Sequence, residues 1–280
     1  MRQLTADEIR RSVQELPALP AVVLELIQSL GDSNVSAEQL ATKISHDQAI
    51  AAKTLRLANS SFYGMARQVT SIAEATAILG LRTLRSVATA AGLVGGFAHS
   101  RCSGFDFDAF WRHSIGTALA ARALARRTGQ DEDAAFTLGL VHDIGRLVLI
   151  SSYEDEYAKV LAYQMEHDCL MYVAEQHHFG VDHAEVGGVV AEHWHFAPDI
   201  VSAISCHHRP PTARVKTLTD LVHVADNLAH GLDLSRKENE MVPPLAVDAW
   251  GRLALTDADC LEVFETVTEQ HEVVCHALLP

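Results

Sequence analysis

The chain is poor in base. It carries 22 Lys and Arg against 36 Asp and Glu, for a formal charge of −14. Such a surface repels a phosphate backbone and argues against non-specific nucleic-acid binding. Only a local patch around the helix at residues 81–93, with Arg56, Arg82 and Arg85, runs the other way. The five cysteines (Cys102, Cys169, Cys206, Cys260 and Cys275) form no CxxC pair and are odd in number. That pattern excludes a disulfide frame or a zinc ribbon and points to reduced thiols in a cytoplasmic protein. Long apolar runs are missing too: the longest uncharged stretch, residues 86–100, is broken by Gly, Ser and Thr. It is too short and too polar to span a bilayer, so no membrane partner is expected. The first residues lack the apolar core of a signal peptide. Period-two alternation, internal repeats and low-complexity tracts are absent as well.

What is present is ordinary globular material: 280 residues, 48% hydrophobic and 21% charged. A chain of that length buries roughly 75% of its unfolded surface. The apolar spacing is helical almost throughout. Residues 21–30 place Val22, Val23, Leu26, Ile27 and Leu30 on one stripe, with Gly31 as a stop. Ser36-x-x-Gln39 is a capping box, Asp47 is placed to cap 48–58, and Ser71 precedes 72–79 before Gly80. The pattern predicts further helices over 81–93, 107–128, 133–151, 154–166, a short segment ending at Gly180, 182–195, 198–208 and 218–230. Residues 235–242 read as a charged loop before Pro243-Pro244, and Thr256-x-x-Asp259 opens a last amphipathic helix. The expected fold is all-α. The Gly/Ser-rich stretch from Gly95 to Gly104 divides it into an N-terminal helical subdomain (1–100), a helical subdomain with a candidate metal site (101–235) and a C-terminal loop and helix (236–280).

Histidine is in excess: 16 residues, 13 of them between His99 and His230. A single His on a helix is ordinarily a surface or hydrogen-bonded core residue, and a metal site needs imidazoles and carboxylates from separate elements. His46-Asp47 lies at a helix start, where Asp is a common cap, and His167-Asp168 lies in a polar link. His142-Asp143 differs, because it ends the apolar run Phe136–Val141 and precedes Ile144-Gly145. Burying that carboxylate is costly unless it is paired or holds a cation. His113, on a stripe with Phe110, Ile115 and Leu119, His183 behind Asp182, His207-His208 and Asp226 extend the set over five helices. Asp226 also has His223 and His230 on its face, which leaves open a separate surface cluster. His177-His178 and His193/His195 are expected to face solvent or cap helices.

Leu16-Pro-Ala-Leu-Pro20, Ile44-Ser-His-Asp-Gln48, Leu55-Arg-Leu-Ala-Asn-Ser60 and Ala77-Ile-Leu-Gly-Leu81 resemble the N-terminal part of the HDOD family, a group of bacterial helical modules. The resemblance continues through Phe179-Gly-Val-Asp-His183, Trp194 and His207-His-Arg-Pro210, covering roughly residues 12–230. The second half is similar to the HD phosphohydrolase superfamily, with its H…HD…D motif, and to its HD-GYP branch, which adds H and HH. The resemblance implies an HD-domain-like helical bundle and a binuclear transition-metal centre, iron before manganese, nickel or zinc. In it Asp143 bridges, His113, His142 and Asp226 complete one metal, and His183 and His207 hold the other. It further implies that Arg146, where HD-GYP proteins carry Lys, offsets charge on a phosphate, and that His208 lies behind the ligands or against the substrate. Arg209-Pro210-Pro211 replaces Gly-Tyr-Pro, which speaks against cyclic-di-GMP, and Ala109 replaces the Glu of three-metal relatives, so no third ion is expected. The family resemblance implies a signalling or regulatory module that engages a partner protein or a small phosphorylated ligand. The complete ligand set implies a metal-dependent phosphohydrolase or phosphodiesterase acting on a nucleotide or cyclic nucleotide.

Overall fold

A computed structural model of the chain describes residues 2–15, 21–28, 36–64, 67–96, 102–238 and 240–279. Helices account for all the regular structure among them, in agreement with the all-α expectation. The first six are α1 (Ala6–Gln14), α2 (Ala21–Gln28), α3 (Ala37–His46), α4 (Gln48–Ala58), α5 (Ile72–Leu79) and α6 (Leu81–Gly96). Next come α7 (Phe107–Thr128), α8 (Glu132–Val141), α9 (Ile144–Ser152), α10 (Glu154–His167) and α11 (Met171–Phe179). The chain ends with α12 (His183–His193), α13 (Pro198–Ser205), α14 (Leu218–Gly231), α15 (Val247–Leu253) and α16 (Asp257–Leu278). The Leu16–Pro20 motif, the Gly31 stop and residues 97–101 of the Gly/Ser-rich stretch lie outside the described residues.

Side-chain caps explain most of the helix starts. Ser36, Asp47 and Ser71 accept from the first-turn amides of α3, α4 and α5. Asp182/Glu185, Thr217/Asp220 and Thr256/Asp259 form full capping boxes on α12, α14 and α16. A fourth box, Thr5/Glu8, opens α1, which the spacing of apolar residues did not predict. The segment before it docks on the end of α11, where the amides of Arg2 and Leu4 donate to the carbonyls of His178 and Phe179.

The long helix α7 is the axis of the second half. From Ala109 to Ala121 every residue is buried, and the small residues Gly116, Ala118, Ala120 and Ala121 let α8, α14 and α16 pack closely around it. Apolar packing is continuous from Leu4 to Leu279 and so crosses the Gly/Ser-rich stretch. The C-terminal helix α16 contributes to that continuity by packing on both α7 and α4.

Two helix ends differ from the periodicity. The single helix expected over 133–151 is two helices, broken at His142-Asp143. His142 Nδ1 engages the carbonyl of Gly139 at 2.7 Å, the group that the amide of residue 143 would claim in an unbroken helix. The apolar stretch Glu132–Ser152 is long enough to cross a membrane by composition alone, but 83% of it is buried inside the protein. Similarly, α13 stops at Ser205 and not at His208, so His207 and His208 sit in a turn.

Cys275 lies on α16 beneath this packing, with its Sγ 3.4 Å from His271 Nε2. Burial pushes its thiol up to about 12. The thiolate is the reactive form, so the native protein at pH 8.5 is expected to leave Cys275 unalkylated by iodoacetamide, with reaction appearing only in denaturant. Mass spectrometry of the labelled chain reads the result, and labelling of the folded protein at this residue would refute the assignment.

Candidate metal centre

The break between α8 and α9 delivers His142 and Asp143 into the protein interior, 0% and 2% exposed. Around them close His113 from α7, His183 from the first turn of α12, His207 and His208 from the turn after α13, and Asp226 from the middle of α14. Potential ligand atoms form two main groups, each within 4.8 Å: Asp143 with His183, His207 and His208, and His113 with His142 and Asp226. All seven positions singled out in the sequence therefore meet in one place. Arg146, one turn into α9, reaches Asp143 Oδ2 at 3.3 Å.

Backbone carbonyls and one carboxylate orient the rings. His142 Nδ1 donates to Gly139 O at 2.7 Å, and His207 Nδ1 donates to Ile204 O at 2.7 Å. A carbonyl only accepts, so each of these rings carries its proton on Nδ1 and turns Nε2 inward. His183 Nδ1 lies 2.5 Å from Glu175 Oε2, which also accepts from the His183 amide. Such outer partners fix the tautomer and raise the basicity of metal-binding imidazoles.

The inward atoms then face one another at close range. His113 Nε2 and His142 Nε2 are 3.3 Å apart, and Asp226 Oδ1 lies 3.0 Å from the first and 3.5 Å from the second. Asp143 Oδ1 lies 3.0 Å from His183 Nε2 and 3.5 Å from both His207 Nε2 and His142 Nε2. Asp143 Oδ1, His207 Nε2 and Asp226 Oδ2 are buried and make no well-oriented hydrogen bond. Ligand bonds of about 2.1 Å around one ion put neighbouring donor atoms roughly 3.0–3.4 Å apart, close to the 3.0–3.5 Å found here. The donor set of imidazole nitrogens and carboxylates suits a transition-metal ion better than magnesium. The residues fit a metal.

The charges point the same way. Burial opposes ionisation of Asp143, but Arg146, His142 and His183 hold its carboxyl well below the ordinary range. Asp226 behaves likewise, with burial outweighed by His230, His113 and His142. His208 is held well below its usual value by burial and by neighbouring His207 and His183, so it stays neutral. His183 is raised to about 10, because Glu175 and Asp143 outweigh the effect of burial. Buried carboxylates of this kind cost several kcal/mol each unless a proton or cation compensates them (~, per ion).

The remaining polar residues sort differently from the sequence expectation in three respects. His208, expected behind the ligands or against the substrate, stands among the ligand atoms: its Nε2 is 2.8 Å from His183 Nε2, because the helix has ended before it. His178 does not face solvent, being 6% exposed and bonded to Glu156 Oε2 at 2.7 Å. The His223–Asp226–His230 face divides, with His223 turned to the carbonyl of His207 and the amide of Ala246, and His230 Nε2 3.4 Å from Asp226 Oδ1. His177, His193 and His195 are exposed, as the spacing suggests. Of the basic patch, Arg85 is buried and Arg82 is paired with Asp131 at 2.9 Å.

Sequence reasoning missed Glu175 and Glu240. Glu175 is fully buried and joins His183 to Tyr157, whose hydroxyl donates to it at 2.7 Å. No local signal marked it: exposed Val173, Gln176 and His177 stand close by, in a helix too short to show a clear face. Replacing Glu175 with Ala strips His183 Nδ1 of its acceptor. We expect metal affinity to fall about 10–100-fold, with a loss of stability on the order of 3 kcal/mol. Metal titration and thermal melts of Glu175→Ala and Glu175→Gln measure both, and unchanged affinity in the Ala variant would remove Glu175 from the site.

An all-helical bundle that gathers a His, a His-Asp pair and a distant Asp around one buried point is an HD-type helical domain. The HDOD domain family profile matches residues 16–210, and the chain belongs to the HDOD family. It is similar to an HDOD domain protein of unknown function from Geobacter sulfurreducens, with 25% identity, a TM-score of 0.84, and coverage of 99% of this chain and 100% of that one. It is also similar to the "Putative phosphohydrolase" of Shewanella amazonensis SB2B, with 26% identity, a TM-score of 0.75 and coverage of 96% of each chain. An uncharacterized protein of Treponema pallidum (strain Nichols) is 28% identical over 232 residues. That match takes in 81% of this chain but 45% of the relative, so the chain spans about half the length of the curated relative it matches.

Proposed function

We propose that the chain is a binuclear metal-dependent phosphohydrolase acting on a nucleotide or related phosphate ester. The observation that carries the reading is the position of Asp143 Oδ1, which lies within 3.5 Å of imidazole nitrogens on both sides of the site. A carboxylate so placed joins the His183/His207/His208 group to the His113/His142/Asp226 group. Iron, manganese, nickel and zinc all suit the imidazole-rich set. When bound, a pair of such cations supplies an activated water and offsets charge on a phosphoryl group.

The protein's own residues do the rest. Arg146 orients Asp143 and lines a cleft together with Lys237, His183, His208 and Tyr172. Arg146 and Lys237 line this cleft, and together with bound cations they would set a local field favourable to an anion, despite the net charge of −14. His208, expected behind the ligands or as a substrate contact, has a nitrogen within 4.8 Å of the ligand atoms of Asp143, His183 and His207 and could serve with them as a ligand. The similarity to the Shewanella protein supports this class of reaction.

One observation favours a second reading, a cytoplasmic bacterial signalling module whose metal is structural or sensory. Lys237, Glu240, Met241 and Pro243 of the loop after α14 line the cleft. A partner protein that displaced this loop would control access to the site. The deciding experiment is elemental analysis of the purified chain, followed by a metal-loaded screen against phosphomonoesters, phosphodiesters and cyclic dinucleotides. Retained metal with turnover supports the hydrolase. Retained metal without turnover leaves the module, and a chain that takes up no transition metal defeats the hydrolase and leaves a module without metal.

A further inference from the structure

A second groove lies at the start of α15. It is lined by Pro210 and Pro211 from the loop before α14, and by Val247 and Ala249 from the first turn of α15. Among the described residues eight large apolar side chains stand exposed, and four of them (Val215, Val242, Leu245 and Val247) fall on these two stretches of chain. Apolar side chains left in water beside a groove gain on being covered. The loop before α14 is also basic. No carboxylate occurs between Asp199 and Asp220, and Arg209, Arg214 and Lys216 fall in that interval. Arg209 lies over the Tyr172 ring at 5.8 Å, Lys216 donates to the carbonyl of Thr128, and Arg214 is exposed. None of these contacts is with a carboxylate. Charge is screened over roughly 8 Å at physiological salt, so the loop attracts an acid locally although the chain carries −14. Asp248 is the one acid among the residues that line the groove.

We propose that this groove docks a segment of a partner protein in which apolar side chains are flanked by Asp or Glu, and that its occupancy alters the hold on metal at the His207 turn. The apolar side chains cover Val247 and the two prolines, and the acids meet Arg209, Arg214 and Lys216. Two bonded links join the groove to the buried site. Arg252, which also lines the groove, donates from Nη2 to the carbonyl of Pro211 at 3.3 Å and from Nε to Asp220 Oδ2 at 2.9 Å. The Ala246 amide donates to His223 Nε2 at 2.8 Å, and His223 Nδ1 donates to the carbonyl of His207 at 2.6 Å. Both links end on residues 207–211, so a shift of the groove reaches the turn that carries His207 and His208. The groove itself needs no metal, whereas its effect on the metal rests on the binuclear reading.

The test is fluorescence anisotropy of the full chain with a labelled peptide alternating Leu and Glu. A Leu/Lys peptide of the same length and labelled oligothymidine serve as comparisons. Arg214→Glu and Val247→Asp change exposed side chains, so both variants are expected to melt as the native chain does. The expected result is saturable binding of the Leu/Glu peptide alone, weakened about tenfold by each variant. No binding of that peptide, equal binding of the Leu/Lys peptide, or binding that both variants leave unchanged would overturn the groove. Stronger binding of oligothymidine would assign the loop to nucleic acid and overturn it too. The second readout is the apparent Zn²⁺ affinity against a competing chelator, expected to change about fivefold with the peptide bound. An unchanged affinity overturns the link to the metal. A chain that holds no metal defeats the binuclear reading and the link with it, while the anisotropy still decides the groove.

Discussion

Asp143→Ala is expected to abolish metal-dependent turnover, lowering it by about 10⁴-fold or more, and to release metal from both groups of ligands. The carboxylate stands within 3.5 Å of His142, His183 and His207, and so touches both halves of the site. Its loss leaves Arg146 without its 3.3 Å partner and leaves His183 with Glu175 and His208. In the metal-free protein the effect on stability has two opposing parts. Removal of a buried charge relieves desolvation, while Arg146 and His183 lose a compensating anion. The metal readout is therefore the sharper one. Elemental analysis of Asp143→Ala beside the native protein, and of a His142→Ala/Asp143→Ala double variant, measures it. Native-like metal content in Asp143→Ala would defeat the bridging role, and native-like turnover would defeat the proposed chemistry.

Gly145→Ala is expected to destabilise the fold by more than about 3 kcal/mol. A Cβ at this position would lie 2.0 Å from the carbonyl oxygen of His183 and 2.4 Å from the amide nitrogen of Gly187. Both atoms are backbone, so no side-chain rotation relieves the clash, and α9 and α12 would have to separate. Those helices follow Asp143 and begin with His183, so the substitution also pulls the two residues apart. A fall in melting temperature of roughly 6–12 °C and weaker metal retention are expected together. Gly251→Ala is the control, because a Cβ there meets nothing within 4 Å. Equal melting temperatures for the two variants would show that the close crossing of α9 and α12 is not needed.

Much of the fold is legible in the sequence because its determinants are local. Ser36, Asp47, Ser71, Asp182, Thr217 and Thr256 cap the helices they precede, through bonds to amides two or three residues away. Two helix ends were not legible. Apolar periodicity runs straight through His142-Asp143, and only a side-chain bond to Gly139 and the demands of the interior mark the break. The end of α13 at Ser205 is likewise invisible to spacing, and it changes the direction in which His208 points.

The candidate site divides along the same line. His113, His142, Asp143, His183, His207 and Asp226 could be named from residue type, helical context and family pattern, because those positions combine polar chemistry with buried faces. Glu175 and Glu240 could not. Each lies far in sequence from some of the residues it serves, and neither carries a local signal that separates it from an ordinary surface acid.

By itself, then, the sequence determined an all-helical chain, where most helices begin, and which imidazoles and carboxylates had the means to build a site. Capping and amphipathic spacing act over a few residues and are written in the chain directly. The tertiary structure alone decided which nitrogen of each ring faces inward and which carboxylate stands behind His183. It also decided that a loop acid closes on His113 and His230. Those choices depend on distances between elements up to about a hundred residues apart, and only the packing of α7, α9, α12 and α14 around one point sets them.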